Sequence, residues 1–119
     1  MFPLFTQYPK CSTCKKAKAW LNDKNISYTD RHIVEEQPSI EELRQWWAAS
    51  ELPLKRFFNT SGIKYREMKL STTLPSMSEE EQLALLATDG MLVKRPILVT
   101  EKGVCPGFKE AIWQELLGL

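Results

Sequence analysis

The sequence predicts a mixed α/β chain in which a βαβ unit and a ββα unit flank a helical middle. Three observations carry that prediction. A short aromatic and apolar run at the amino end gives way to helical periodicity within a few residues. Two capping boxes stand in the middle of the chain, and a β-branched run near the carboxyl end is folded back by a tight turn.

In order, Phe2 to Tyr8 suits a strand that ends at Pro9. Ala17, Trp20 and Leu21 then recur at helical spacing, until the polar break Asn22 to Asn25 stops the helix. Ser27 to Val34 is a second, more charged strand, and Pro38 closes the connection after it. Ser39 and Glu42 form a capping box, in which hydroxyl and carboxylate each satisfy a free backbone donor at a helix start. Ile40, Leu43 and Trp47 give that helix an apolar stripe expected in the core.

Pro53 to Phe58 is a further short helix, ended by the turn Asn59-Thr60-Ser61-Gly62, and Lys64 to Leu70 resumes helically. Ser78 and Glu81 make the second capping box, Leu83, Leu86 and Ala87 mark a buried side, and the helix should stop near Gly90. Pro96 to Thr100 is a strand, Glu101-Lys102-Gly103 a hairpin turn, and Val104-Cys105 the start of the return strand. Phe108, Ile112 and Leu116 then line one face of a terminal helix.

With 119 residues, 43% apolar and 26% charged, the chain is expected to form one domain over residues 1–119, with the helical insertion at roughly 39–90. A net charge of +1 gives no overall field for nucleic acid or anionic lipid, and Lys15, Lys16 and Lys18 are expected as a solvated helix face. The amino end lacks a secretory signal and no apolar run is long enough to span a membrane, so a cytoplasmic location is expected. Three cysteines in a reducing compartment point to reactive or metal-bound thiols rather than structural bridges.

The stretch YPKCSTCKKAKAWL places Cys11 and Cys14 three apart. Within a helix such residues hold their Cβ atoms about 5 to 6 Å apart, and a relaxed disulfide wants roughly 3.5 to 4.5 Å. Pro9 and the late onset of periodicity favour Cys11 just before the helix and Cys14 in its first turn. There Cys11 would face free backbone N–H groups and the positive end of the helix dipole, with Lys10 and Lys15 nearby. Thiols in such settings have pKa values of about 3.5 to 7.5, against about 8.5 for a free one. A zinc site would need two more ligands, for which only Cys105 and His32 are of the usual kind, and two inert buried thiols are a third reading. Redox chemistry is favoured over both. His32 is expected to be an ordinary strand residue rather than a base for Cys11. Cys105 is expected to pack beneath the site, with a role as an alternative resolving thiol as the lesser reading.

The strand-loop-helix carrying CSTC, the segment LVKRPILV from Leu92 to Val99 and the block FFNTSGIKYREMKL from Phe57 to Leu70 resemble the arsenate reductase-like family, the ArsC/Spx group of the thioredoxin fold. The likeness covers nearly the whole chain and is greatest to the uncharacterised reductase-like members. It implies a thioredoxin-like core with a helical insertion between the βαβ and ββα halves, and a cis Arg95-Pro96 bond beside the cysteine loop. In members that reduce arsenate, the cysteine matching Cys11 attacks the oxyanion and three arginines hold the adduct. Only Arg95 is present here; Asn59 and Pro106-Gly107 stand where the other two are expected, and Arg56 and Arg66 lie outside the pattern. Losing two charge-assisted contacts of about 1.5 to 3 kcal/mol each would weaken capture of a dianion by orders of magnitude.

The reading that results is a thiol-disulfide oxidoreductase. Cys11 is the nucleophile, Cys14 the resolving thiol, Arg95 a thiolate stabiliser or anion contact, and Pro96, Ser12 and Thr13 shape the substrate groove. No bound cofactor or metal is expected. The substrate would be a disulfide-bearing protein or a glutathione mixed disulfide, with glutathione, thioredoxin or glutaredoxin as electron donor. One alternative is an arsenate reductase coupled to the same donors. The other is an Spx-like redox-sensing regulator that binds the RNA polymerase α subunit; Spx-like proteins carry a glycine in the polymerase-contact segment, and none stands between Ala49 and Leu54.

Overall fold

The computed structural model describes residues 3–119. β1 spans Leu4–Gln7, α1 Ser12–Asp23 and β2 Thr29–His32. The expected strand start at Phe2 lies outside the described residues. The second strand is shorter than the expected 27–34 because its end is turned by its own side chain: His32 Nδ1 accepts from the backbone N–H groups of Val34 (3.2 Å) and Glu35 (3.1 Å).

Four helices follow, α2 at Ile40–Ser50, α3 at Ile63–Glu67, α4 at Leu70–Thr73 and α5 at Glu79–Thr88. Both capping boxes form, with Ser39 Oγ accepting from Glu42 N–H at 3.1 Å and Ser78 Oγ from Glu81 N–H at 3.1 Å. The segment 53–58 is a single 3-10 turn, Leu54–Phe57. The helix expected over Lys64 to Leu70 is instead two, broken at Lys69, whose φ is 53°. Tyr65 and Leu70 are both buried, and five residues apart on one continuous helix they would point about 140° apart. The break turns both inward.

The apolar stripe of α2 faces the core as expected, with Ile40 and Trp47 partly buried against it. Leu43 and Trp46 are its buried residues, and Trp46 also lies under the Arg31 guanidinium. Trp47 packs at the margin of that core, and its indole N–H donates to the Leu52 carbonyl at 2.9 Å. Helix α5 stops at Thr88, just before the expected Gly90. Asp89 then caps a 3-10 turn, Gly90–Leu92, by accepting from Met91 N–H at 2.8 Å. Gly90 is needed for close approach: a Cβ there would lie 2.0 Å from the Ile33 carbonyl oxygen.

The chain closes with β3 at Ile97–Val99, β4 at Val104–Pro106 and α6 at Glu110–Leu117. The buried residue of α6 is Trp113, not Ile112, which is 41% exposed; Phe108 and Leu116 are only partly covered. Trp113 takes the inner position because its large ring fills the space and its N–H reaches the Gly107 carbonyl at 3.0 Å.

The sheet order is β2-β1-β3-β4, with β1 parallel to β2 and antiparallel to β3, and β3 antiparallel to β4. Register decides which side each residue serves. Phe5, Leu98 and Cys105 are opposite one another across three strands and so share a face. That face packs with Ala17 and Leu21 of α1 and Trp113 of α6. Ile97, Val99 and Val104 point the other way, into a core built with Leu43, Trp46, Leu83 and Leu86 of α2 and α5. This βαβ–ββα arrangement is thioredoxin-like, with the helical segment packed on the face opposite α1 and α6.

Candidate active site

Helix α1 begins just beyond the carboxyl end of β1, a strand paired on both sides. Tyr8 carbonyl accepts from Cys11 N–H at 3.0 Å, a turn that ends the strand and presents Cys11 as the residue before the helix. Cys11 has extended backbone angles and its sulfur accepts from the Cys14 N–H at 3.4 Å, in the manner of a capping side chain. Cys14 lies one turn on and is buried, whereas Cys11 is half-buried and Ser12 and Thr13 are exposed.

These positions separate the two thiols electrostatically. Burial opposes ionisation of Cys11. The Cys14 thiol and backbone N–H and the charge and hydrogen bond of Arg95 outweigh it, so its pKa lies below that of an ordinary thiol. For Cys14 burial dominates, the Cys11 sulfur adds to it, and the pKa is pushed up to about 12. One thiol is prepared to be a thiolate, and the other stays protonated and donates to it.

Arg95 reaches the cysteine loop because two remote segments pair. Phe58 and Val93 form an isolated antiparallel bridge, with Asn59 N–H donating to Leu92 carbonyl (2.8 Å) and Lys94 N–H to Phe57 carbonyl (2.8 Å). The Arg95 guanidinium lies over the Tyr8 ring, 5.1 Å from its centroid, and donates to the Met91 carbonyl at 3.5 Å. The Arg95-Pro96 peptide is cis, and the Pro96 carbonyl accepts from Gly107 N–H at 2.7 Å.

A cleft of about 750 Å³ opens above Cys11. Ser12, Thr13, Asn59, Arg95 and Gly107 line it, as do Lys64, Lys94 and Lys109; Pro96 is buried behind this wall rather than in it. Asn59 and Gly107 thus contribute uncharged residues to the cleft wall. Lys64 is engaged with Asp89 at 2.6 Å. Sequence reasoning missed Tyr8, Lys94 and Lys109. Tyr8 carried a signal as the aromatic residue just before Pro9, whereas nothing local distinguishes the two lysines.

The remaining candidates lie elsewhere. His32 faces Tyr8 edge-on at 5.7 Å, and its Nδ1 is occupied by the backbone of its own turn. Cys105 is buried against Phe5, Leu98 and Trp113, which raises its pKa chiefly by burial. Among the described residues no group of three or more His, Cys, Asp or Glu side chains converges as a metal site. Nor is any described helix long and apolar enough to cross a membrane.

The chain resembles known proteins over almost its full length. A solved ArsC family related protein from Bacteroides fragilis is 59% identical, with a TM-score of 0.95 and coverage of 98% of both chains. The Bacillus subtilis protein YusI, itself uncharacterized, is 52% identical over 93% of this chain and 94% of its own. The global transcriptional regulator Spx of Staphylococcus haemolyticus is 34% identical over 92% of this chain and 82% of its own. The ArsC family profile matches residues 6–116, and with these relatives covering more than nine-tenths of its length, the chain belongs to the ArsC family.

Proposed function

We propose that this thioredoxin-fold protein is a thiol-disulfide oxidoreductase that uses Cys11 and Cys14 as its redox pair. The observation that carries the reading is the contrast between the two thiols, Cys11 lowered and open to the cleft, Cys14 raised and buried behind it. Cys11 thiolate attacks one sulfur of a substrate disulfide, forming a mixed disulfide and expelling the other sulfur as thiolate. Cys11 then no longer carries the charge that added to burial in holding the Cys14 proton, so Cys14 ionises more readily and attacks the Cys11 sulfur. That step releases the second substrate thiolate and leaves a Cys11–Cys14 disulfide. Two electrons have passed to the substrate, and an external thiol donor such as glutathione, glutaredoxin or thioredoxin restores the dithiol. Arg95 stabilises the attacking thiolate, Ser12 and Thr13 border the substrate, and Pro96 acts through its neighbours Arg95 and Gly107.

Arsenate reduction is the weaker enzymatic reading, since Asn59 and Gly107 offer the cleft no charge where two arginines would hold a dianion. Likeness to Spx supports a second, non-enzymatic reading, a redox-gated partner of the RNA polymerase α subunit. Retention of the α subunit by the reduced or oxidised protein would favour it.

Trapping tests the main reading. Cys14→Ser should accumulate as a mixed disulfide on Cys11 that mass spectrometry identifies, while the native protein turns over mixed disulfides with thiol donors. A Cys11 that titrates like free cysteine, together with no turnover of any disulfide, would sink it.

A further inference from the structure

The cleft above Cys11 does not end at its lysines. Lys94 and Lys109 also line a second hollow of about 430 Å³, whose walls include Lys55, Arg56, Phe58 and Pro106. The two hollows therefore adjoin across these two lysines. No acidic residue lines the second hollow.

The cations there are free. Lys18, Arg31, Arg44 and Lys64 each hold a carboxylate, but Lys55, Arg56, Lys94 and Lys109 belong to no ion pair among the described residues. On a chain whose net charge is only +1, four unpaired cations round one hollow form a local positive field. Lys94 is also held in place. Its backbone N–H is bonded to Phe57, and its Cε would lie 3.3 Å from a Cβ at Gly107, so the stem lies close over the glycine. Phe58 and Pro106 add an apolar floor, which suits the backbone and side-chain stems of a peptide better than a bare inorganic anion.

We infer that the second hollow is a docking groove for an acidic segment of a polypeptide whose disulfide sulfur is delivered to Cys11. The inference rests on the thiol-disulfide reading and names its substrate class: disulfides flanked by aspartate or glutamate. Charge complementarity at a rim of this kind acts mainly on encounter rate and is screened by salt.

The test compares mixed disulfides of three otherwise identical peptides, carrying aspartates, glycines or lysines beside the cysteine, with glutathione disulfide alongside. The aspartate peptide should show a kcat/KM roughly tenfold or more above the lysine peptide at low salt, a range expected of steered encounter. The gap should collapse when salt shortens the screening length to about 3 Å near 1 M. Charge reversal at Lys55→Glu with Arg56→Glu, both exposed and outside the cleft above Cys11, leaves two cations facing two carboxylates and should bring the ratio of aspartate to lysine peptide close to one. Equal rates for all three peptides, or a ratio unmoved by the double reversal, would overturn the groove while leaving the thiol-disulfide reading intact. Faster turnover of glutathione disulfide than of every peptide would also overturn it, and failure to turn over any disulfide would remove both.

Discussion

Cys11 and Cys105 are the same residue type within one small fold, and their surroundings give them opposite chemistry. At the cysteine loop the end of β1, the start of α1 and the Arg95 segment meet, and polar groups converge on a half-buried sulfur. On the face covered by α1 and α6, Cys105 lies among Phe5, Leu98 and Trp113, a region closed by edge-to-face aromatic contacts between Phe5, Trp20, Phe108 and Trp113. Its thiol donates only to the carbonyls of Pro106 (3.7 Å) and Gly107 (3.6 Å). A thiol becomes reactive where donors and charge outweigh burial, whereas at Cys105 burial outweighs the Trp113 hydrogen bond and the Lys109 charge that oppose it. Under the proposed function the first region serves chemistry, while the second contributes to the core.

Substitutions can break this contrast, the largest effect coming first. Cys11→Ser should reduce disulfide turnover to background, whereas Cys105→Ala should retain it, as a coupled thiol assay would record. A Cys105→Ala variant as inactive as Cys11→Ser would move the resolving role away from Cys14. On the sealed side, Trp113→Ala should cost about 3 to 5 kcal/mol in denaturant unfolding, while alkylation of Cys11 in the folded protein keeps its native pH dependence.

Arg95→Gln sharpens the comparison from the other direction. It removes both the charge and a hydrogen bond offered to Cys11, so the midpoint of a pH profile of iodoacetamide alkylation should move upward, and reactivity at neutral pH should fall. An unmoved midpoint would assign thiolate stabilisation to the Cys14 donors alone. The smallest effect is expected far from both thiols, where the Arg31 guanidinium holds the Glu42 carboxyl near 2. Its folded value lies below its unfolded one, so its contribution is present above about pH 4 and is lost as pH falls towards 2. With both side chains partly open to water, Glu42→Gln should cost about 1 kcal/mol at neutral pH, and melts should show the difference from the native protein vanishing in acid.

Much of the fold was legible because local rules and tertiary packing agree. The capping boxes at Ser39 and Ser78 form as their spacing requires, and the period change after Pro9 places Cys11 ahead of α1. Where local and tertiary demands diverged, periodicity misled. Ile112 and Trp113 are neighbours with similar claims on the core, and a single interior space admitted only the ring with a reachable carbonyl. Gly90 looked like a helix stop, and its actual constraint is the Ile33 carbonyl, 57 residues earlier in the chain.

By itself, then, the sequence determined the order of elements, the caps, and a cysteine pair straddling a helix start, since each depends on residues within a turn or two of one another. Only the tertiary structure decided that Arg95 lies over Tyr8 beside Cys11, that Asn59 and Gly107 line the cleft, and that Lys94 and Lys109 join two hollows. The reason is physical. Thiol reactivity and charge recognition depend on distances in space between groups that the chain brings together from β1, the 57–59 segment and the turn after β4, and no periodicity in a sequence encodes those distances.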